Sequence, residues 1–297
     1  LVIALQLSMA TGLAAELRLA DDTVITRSMK VPAGTYKIAD KAGDGAIHVR
    51  GDNLTIDFQG ANLDGSRPGE MPDAFAGTGI VLSGRKITLR NVKVRGYKVG
   101  IHAIECPGLI IEDAELSGNY QKRLLSTPAA EDGSDWLWPH NNDKHEWTKN
   151  YGAALCVEQT EDATIRRVRA RHGQNGIVID RVSKSKIYDN DCSFLSGWGL
   201  AMWRSNDNVI TRNAFDFCVR GYSHGVYNRG QDSAGILMFE QNNRNVIAEN
   251  SVTHGGDGFF GFAGLEALGD QAPPAGFDHK RKGNNDNLLI RNDFSYA

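Results

Sequence analysis

The amino-acid sequence predicts an all-β fold, a solenoid of the parallel β-helix type with about 21–24 residues per rung and two loop insertions. A short phrase, glycine followed by apolar residues, recurs along the chain. It begins at Gly79, Gly100, Gly152, Gly176, Gly199, Gly235 and Gly258. The steps between successive glycines are 21, 52, 24, 23, 36 and 23 residues. Four of these steps equal one rung, and the two longer steps indicate rungs that carry an insertion.

The residues between these glycines are typical of strands and turns. Short runs of alternating, β-branched apolar residues are bounded by Gly, Asn, Asp and Ser. No segment of useful length places apolar residues at i, i+3, i+4 and i+7, which disfavours a repeat that contains helices. Equal positions of successive rungs are then expected to stack at about 4.8 Å, the spacing of strands in a sheet.

A second apolar phrase follows about ten residues after the glycine and ends in asparagine. Its asparagines are Asn190, Asn213, Asn250 and Asn292. Because they occupy the same turn of their rungs, their side-chain amides are expected to form a hydrogen-bonded ladder. Asparagine also tolerates the left-handed backbone that such a turn requires. We interpret these four residues as structural.

Together, the glycine phrase and the asparagine phrase resemble the repeats of the right-handed parallel β-helix superfamily. Its members include pectate lyases, polygalacturonases, alginate lyases and epimerases, and NosD-like carbohydrate-binding and sugar-hydrolase repeats. The resemblance covers residues 24–297. It implies a right-handed β-helix that acts on, or binds, a polysaccharide.

Both ends of the sequence suggest a longer natural protein. Residues 1–15 read as a truncated signal peptide, with an apolar stretch that ends in small residues and is too short for a membrane span. We expect the β-helix domain to occupy residues 24–297, to be incomplete at its C-terminus and to be secreted or periplasmic. Export permits disulfides, but buried thiols are the alternative for Cys106, Cys156, Cys192 and Cys218.

The amino-acid composition and net charge restrict the kind of molecule that this protein can bind. The 297 residues carry a net charge of −3, without the concentrated basic character of a nucleic-acid binder. We therefore expect a monomer whose partner is a polysaccharide or oligosaccharide, with no nucleic acid and no membrane span.

The first insertion, residues 118–150, concentrates aromatic and polar side chains. Within the 13 residues 135–147 lie Trp136, Trp138, His140, His145 and Trp147. Aromatic faces beside polar groups suit sugar rings, so Trp136, Trp138 and His140 are candidate substrate-binding residues. The alternatives are that the tryptophans form the core of the loop, and that the two histidines ligate a metal ion with an acidic neighbour.

The second insertion, residues 218–234, precedes the glycine phrase at Gly235. It holds a candidate set of catalytic residues, namely Arg220, His224, Tyr227, Arg229 and Asp232, with Tyr222 beside them. Such a set supplies a base, a proton donor and a cationic clamp. The alternative is a polar turn that is held by its own hydrogen bonds.

An outward-facing column accompanies the glycine phrases. Four positions after the glycine, the side chain is expected to point away from the core, and the residues there are Asp180, Trp203, Phe239 and Phe262. The next position adds Arg181, Arg204 and Glu240. We interpret Asp180, Trp203, Arg204, Phe239 and Phe262 as substrate-binding, because stacked exposed aromatics usually mark a contact surface. The alternative is that the first insertion covers them.

Near the same phrases lie further titratable residues. We expect His224, Asp232, Glu240, His254 and Asp257 to converge over two adjacent rungs and treat them as candidate catalytic residues. A separate basic stripe contains Lys93, Arg95, Arg167, Arg169 and Arg171. It is interpreted as a salt-bridged solvated wall, with a track for an acidic polysaccharide as the alternative.

These observations favour an exported carbohydrate-active enzyme that acts on a polysaccharide. Hydrolysis needs two carboxylates on either side of the scissile bond. Lyase or epimerase chemistry on a uronate needs a base, with an arginine or a metal ion such as Ca²⁺ to neutralise the sugar carboxylate. The second insertion favours the latter scheme, although the D-P-H-D segment of related alginate epimerases is absent. The alternative is a non-catalytic β-helix module that binds glycan or protein.

Overall fold

The computed structural model describes residues 19–127, 129–139, 141–221, 230–273, 275, 277, 279–280 and 282–297. The expected truncated signal peptide, and the candidate residues His140, Tyr222, His224, Tyr227 and Arg229, lie outside the described residues. Strands and helices are numbered along the chain.

The described residues form a right-handed parallel β-helix, as the sequence predicts. Sheet A contains, in order, β1 (Thr23–Ile25), β4 (Ile47–Arg50), β7 (Thr78–Ser83), β10 (Val99–Ile104), β12 (Ala153–Glu158), β14 (Ile177–Asp180), β16 (Trp198–Trp203), β18 (Ala234–Phe239) and β20 (Asp257–Phe262). Each strand pairs in parallel with the next, so sheet A runs the length of the tube.

Sheet B forms the second wall of the tube. Its main path is β2 (Met29–Lys30), β5 (Thr55–Asp57), β8 (Thr88–Arg90), β11 (Ile110–Glu115), β13 (Thr164–Arg169), β15 (Lys186–Tyr188), β17 (Val209–Thr211), β19 (Val246–Ala248) and β21 (Leu288–Ile290). Three further strands, β3 (Thr35–Lys37), β6 (Asn62–Asp64) and β9 (Lys93–Arg95), pair beside it. The inward side chains of both sheets form one continuous apolar core.

The glycine phrase marks the inner turn into sheet A. A Cβ atom on Gly176 would lie 2.5 Å from the carbonyl oxygen of Gly199, so a side chain there would force the next rung to shift. One prediction is wrong by two residues. Ile101 pairs with Leu155, so Ala154, and not Gly152, occupies the glycine position of that rung.

The predicted asparagine ladder is confirmed. Asn190 Nδ2 donates to Asn213 Oδ1 at 2.9 Å, Asn213 Nδ2 donates to Asn250 Oδ1 at 2.9 Å, and Asn250 Nδ2 donates to Asn292 Oδ1 at 2.9 Å. The left-handed residue, however, is the one that precedes each asparagine, for example Arg212 with φ 55°. The amides therefore tie the rungs together, while the preceding residue makes the turn.

Replacing Asn213 by alanine is expected to lower the free energy of unfolding by about 2 kcal/mol, because buried backbone and amide groups on both adjacent rungs lose their partner. Among them, the Ile187 carbonyl loses the donor that lies 3.0 Å away. The change is measured by chemical denaturation. Asn292→Ala, at the end of the ladder, is the matched control and should cost less. Equal losses in the two variants would contradict a cooperative ladder.

The helices lie in excursions from the tube. A 3₁₀ turn (Gly133–Asp135) and α1 (Glu146–Tyr151) belong to the first insertion, and another 3₁₀ turn (Pro72–Ala74) lies in an earlier loop. The short α2 (Leu265–Leu268) lies between β20 and β21. Val246 pairs with Leu288, 42 residues later, so this rung carries an insertion beyond the two that the sequence predicts.

The four cysteines are all buried and free, which settles the alternative in favour of thiols. Cys192 and Cys218 lie in the main core, and Cys156 faces the outer side of sheet A. None of the described helices is long and apolar enough to cross a membrane.

Candidate functional site

The outer face of sheet A carries a second apolar cluster, which the first insertion covers. Trp147 from α1 is fully buried, and its ring centroid lies 5.1 Å from that of Trp198, 5.5 Å from that of Trp203 and 6.2 Å from that of Phe239. Trp203 and Phe239 do point away from the core, as predicted. Their interpretation as open substrate-binding rings is wrong, since their exposed fractions are 0% and 1%. The insertion covers them because Trp147 fills the space between them.

Phe262 continues the same column at its far end. It is only half-buried, and its ring centroid lies 5.0 Å from that of Phe239. Phe262 therefore borders the covered cluster, and its role as a substrate contact stays a prediction.

Polar residues meet along the edge of the first insertion, where the sheet A strands end. We call this group the seam cluster. It consists of His102 on β10, Cys156 and Glu158 on β12, Asp180 on β14, and His145 just before α1. The strand pairing places Cys156 beside His102, and Glu158 beside Asp180. His145 reaches them from the insertion, in a left-handed conformation with φ 59°.

Glu158 is the centre of the seam cluster. Its Oε1 atom lies 3.1 Å from His145 Nδ1, 3.2 Å from His102 Nε2 and 3.4 Å from Cys156 Sγ. Burial disfavours the charged carboxylate, but the neighbouring His102 and His145 and the Cys156 thiol outweigh burial and hold the pKa of Glu158 below its usual value. Glu158 is therefore a buried anion between two imidazoles.

Asp180 is fully buried beside it. Burial raises the pKa of Asp180 to about 7, although Arg181 acts in the opposite direction. Arg181 donates to Asp180 Oδ1 at 2.6 Å, and Asn142 Nδ2 of the insertion donates to Asp180 Oδ2 at 2.9 Å. Asp180 thus fastens the insertion to the sheet and cannot itself touch a polymer in this conformation.

Two arginines extend the seam cluster towards the next rungs. Asp143 of the insertion accepts from Arg181 at 3.0 Å and lies 2.7 Å from Arg204. Arg204 Nε also donates to Glu240 Oε1 at 2.8 Å. Burial raises the pKa of Glu240, whose side chain is fully buried, and nearby Glu266 raises it further, while Arg204 acts against both. Glu240 therefore holds Arg204 in place and has no access to solvent.

A groove of about 570 Å³ adjoins the seam cluster, along the turns that follow sheet A. Glu105, Gln159 and Arg181 line it from successive rungs. The Arg181 side chain is one-third exposed. Because Arg181 also contacts Asp143 and Asp180, it connects the groove with the buried carboxylates.

Arg220 is buried, whereas its candidate catalytic role requires a side chain that a substrate can reach. Its side chain is 1% exposed and pairs with the fully buried Asp135 at 3.1 Å. It also donates to the carbonyl oxygens of Asp135, Lys122 and Arg123. Because its nitrogens are engaged and shielded, Arg220 joins the second insertion to the first and does not present a charge to a substrate.

The predicted convergence over two adjacent rungs is wrong for Glu240, whereas Asp232 and Asp257 lie at the same end of neighbouring strands, where Asp257 N donates to the Ser233 carbonyl at 3.0 Å. Glu240 follows β18, whereas Asp232 precedes β18, and His254 and Asp257 lie at or before the start of β20. A six-residue extended strand separates its two ends by roughly 17–20 Å. His254 instead stacks between Phe217 and Tyr296, with centroid distances of 4.7 Å to each.

Two tryptophans of the first insertion face outwards. Trp136 and Trp138 stack with centroids 5.6 Å apart, and Trp138 is 57% exposed. Each of the two alternatives for the insertion thus applies to different tryptophans. Trp147 forms a core, whereas Trp138 is exposed and stacks on the half-buried Trp136.

The basic stripe is a salt-bridged wall. Arg95 pairs with Asp64, Arg167 with Asp113, and Arg169 and Arg171 with Asp191. These arginines are thereby neutralised by acidic neighbours on the same wall, which disfavours a track for an acidic polysaccharide there.

Sequence reasoning missed His102, Cys156, Glu158 and Asn142. The glycine alignment concealed Cys156 and Glu158, because counting from Gly152 instead of Ala154 assigns both residues to the wrong positions. Counting from Ala154, Glu158 falls four positions on, in the same column as Asp180. His102 was visible in the sequence as an imidazole two positions after Gly100.

The seam cluster includes donors that a transition metal accepts. Single ligand atoms of His102, Cys156 and Glu158 lie within 4.8 Å of one another, as do those of His145, Glu158 and Asp180. With metal–ligand bonds of about 2.0–2.3 Å, tetrahedral ligands lie roughly 3.3–3.7 Å apart, close to the spacings around Glu158. His102 Nε2 is buried and makes no hydrogen bond. The donor set fits copper or zinc, and not Ca²⁺, which takes oxygen ligands.

Fold and site together define a parallel β-helix protein with a polar seam on the outer face of one sheet. The chain belongs to the NosD family: the family model described as periplasmic copper-binding protein (NosD) matches residues 129–296. No curated protein matches the chain.

Several solved structures share the fold. The periplasmic alginate epimerase AlgG is 12% identical, with a TM-score of 0.51, over 91% of this chain and 76% of that one. The A-module of the mannuronan C-5 epimerase AlgE6 from Azotobacter vinelandii is 11% identical, with a TM-score of 0.41, over 95% and 81% of the two chains. At such identities, the likeness to AlgG shows the fold alone.

Proposed function

We propose that this protein is an exported enzyme that modifies a uronate-containing polysaccharide by proton transfer at the seam cluster. The observation that carries the proposal is the contact of His145 with Glu158 beside Asp180, whose partner Arg181 also lines the adjoining groove. The periplasmic place named for the family and for AlgG, and the alginate on which AlgG acts by its title, support the same compartment and substrate class.

His145 is the proposed general base. Its Nδ1 atom lies 3.1 Å from Glu158 Oε1, and its side chain is 40% exposed. A carboxylate at Nδ1 favours the tautomer that leaves the Nε2 lone pair free to accept a proton. Glu158 acts as a positioning residue. The proton removed is the one on the carbon that bears the sugar carboxylate.

Arg181, whose side chain is one-third exposed, is the proposed clamp for that carboxylate. Arg204, paired with Glu240 and Asp143, holds Asp143 in place. Removing a proton beside a carboxylate places negative charge on its oxygens, and cationic donors stabilise the charge as it forms. Asp143 lies between the two guanidinium groups and keeps them near each other. Return of a proton to the opposite face of the sugar would give epimerisation, and loss of the glycosidic oxygen would give elimination.

Hydrolysis fits these residues less well. It requires two carboxyl groups that reach the glycosidic bond from both sides. The side chains of Glu158, Asp180 and Glu240 are 4%, 0% and 0% exposed, whereas that of His145 is 40% exposed. Proton abstraction, followed by elimination or by epimerisation, is therefore the chemistry we propose.

Purified protein is incubated with polymannuronate, polygalacturonate and a neutral glucan in D₂O. Deuterium incorporation, followed by NMR, reports proton exchange, and ultraviolet absorbance of the unsaturated sugar reports elimination. His145→Ala is expected to lower turnover at least about 100-fold, because the base is lost. Arg181→Ala should raise KM as well as lower kcat. Arg212→Ala, an exposed arginine paired with Asp189 on sheet B, is the matched control.

The experiment also separates this site from the second insertion. His224→Ala and Asp232→Ala test the set that the sequence suggested there. Full activity in His145→Ala together with loss in His224→Ala would place catalysis in the second insertion and overturn the seam assignment. No exchange, no elimination and no reducing ends on any polymer would overturn the enzymatic proposal.

A binding module is the second candidate function, and the exposed Trp138, stacked on Trp136, favours it. Aromatic faces bind sugar rings without chemistry. Affinity-gel retardation by a polysaccharide, lost in Trp138→Ala and unaccompanied by turnover, would support this candidate.

A further inference from the structure

We propose that His102, Cys156 and Glu158 form a binding site for one divalent transition-metal ion on the outer face of sheet A. The proposal does not rest on the polysaccharide function. The family description names copper, but it assigns no residues. The geometry of this chain assigns them.

The three ligands come from two neighbouring strands, so their spacing is set by the sheet. His102 and Cys156 are cross-strand partners of β10 and β12, and Glu158 lies two residues after Cys156 on the same face. Side chains two residues apart on a strand point in the same direction. A rigid parallel sheet therefore holds an imidazole, a thiol and a carboxylate around one point.

The surroundings favour a bound ion there. His102 Nε2 is buried without a hydrogen-bond partner, and it lies 3.2 Å from Glu158 Oε1. A bound metal ion would give Nε2 a partner and would neutralise the Glu158 carboxylate. The His102 side chain as a whole is 22% exposed.

His145 is the positioning residue of the proposed site. Its Nδ1 atom contacts Glu158 Oε1 from the first insertion, and carboxylate ligands are usually oriented by such an outer partner. With three protein ligands, the fourth position of a tetrahedral ion stays open. The ion would therefore lie on the solvent side of the sheet, facing the seam.

Two other groups of possible ligands fit less well. Asp22 and Asp44 lie 3.9 Å and 4.0 Å from His48 Nε2, but Arg50 lies 3.3 Å from His48 Nδ1. An arginine donating to Nδ1 places the proton on Nε2, the atom that would have to bind. In the third group, Asp180 is already engaged by Arg181 and Asn142.

The donor set selects the class of metal. A thiolate and an imidazole favour copper and zinc over calcium and magnesium, and Cu²⁺ exceeds Zn²⁺ in affinity for most sites. Binding forms a metal–sulfur bond and breaks the S–H bond of Cys156, whose proton passes to solvent. We therefore expect Cu²⁺ to bind most tightly, and Zn²⁺ to bind in the same place.

The test uses tag-free, chelator-treated protein with no polysaccharide present. Isothermal titration with ZnCl₂ should give one ion per chain, and CuCl₂ should produce a visible thiolate-to-copper charge-transfer band. Cys156→Ala should abolish the band, and His102→Ala and Glu158→Gln should each weaken Zn²⁺ binding more than about 100-fold, beyond the loss typical of an outer partner. Cys192→Ala and His254→Ala are the matched controls and should bind as wild type does.

X-ray absorption of the wild-type zinc complex supplies a readout that needs no variant. It should show one sulfur ligand at about 2.3 Å with nitrogen or oxygen ligands at about 2.0–2.1 Å. Absence of a sulfur ligand, or unchanged Zn²⁺ affinity in a folded Cys156→Ala protein, would overturn the assignment, as would failure of both metals to bind. Since the polysaccharide assay is separate, either proposal can fail without the other.

Discussion

Replacing Trp147 by alanine is expected to lower the free energy of unfolding of the first insertion by about 3–5 kcal/mol, the usual range for a buried tryptophan. Trp147 is fully buried and contacts the rings of Trp198, Trp203 and Phe239. Its loss leaves a cavity that the rigid sheet beneath cannot close. Limited proteolysis and hydrogen exchange of residues 118–150 would measure the change.

The tube should respond less than the insertion does. Its core lies on the other side of sheet A, so undocking of the insertion need not unfold the rungs. Trp138→Ala, at a ring that is 57% exposed, is the matched control and should leave proteolysis unchanged. Equal protection of the insertion in Trp147→Ala and wild type would show that the tryptophan cluster does not hold it.

Replacing Arg220 by alanine is expected to destabilise the contact between the two insertions by about 3–5 kcal/mol, because Asp135 would remain as an unpaired buried charge. Asp135 also accepts from the backbone of Leu125 and Ser126, so its loop depends on the charged form. Chemical denaturation and exchange of the amides of Leu125 and Ser126 would measure the effect.

The control for this change is an arginine in an exposed pair. Arg212 donates to Asp189 from a side chain that is 51% exposed. Arg212→Ala should cost about 1 kcal/mol or less. If Arg220→Ala is as mild as Arg212→Ala, the buried pair does not join the insertions. Since both effects are read from stability, neither depends on the proposed activity.

The fold was predictable because a solenoid repeats its own constraints. Each rung needs an apolar inner face, a glycine where the next rung approaches and an asparagine at a fixed turn. The glycine phrase therefore recurs several times in the sequence, for example at Gly176, Gly199 and Gly235. The asparagine ladder followed from the same periodicity. In a compact domain without repeats, each such constraint appears only once in the sequence.

The candidate site was less predictable for two physical reasons. Periodicity shows that Trp203 and Phe239 point outwards, but it does not show what packs over them. That cover comes from Trp147, in a segment without a repeat. The second reason is register. Ala154 replaces the marker glycine, since alanine is small enough for that position, and the shift of two residues hid Cys156 and Glu158.

The position of residues along a strand also mattered. Residues close in sequence to one glycine phrase were expected to meet, yet Asp232 and Glu240 lie at opposite ends of β18. A strand carries its two ends away from each other, whereas neighbouring rungs bring equal positions together. In this fold, residues at equal positions of neighbouring rungs lie close together, whereas residues at the two ends of one strand do not.

The left-handed turns affect how unfolding proceeds through the rungs. Thirty non-glycine residues of the described chain have positive φ, among them Arg181, Arg204 and Glu240 in one column. Such a conformation costs about 1–2 kcal/mol per residue by itself, and the neighbouring rung supplies the hydrogen bonds that offset it. A rung with one bare side lacks half of that support. Once one rung unfolds, its neighbour should therefore lose the support of its own turns, so that unfolding spreads from rung to rung.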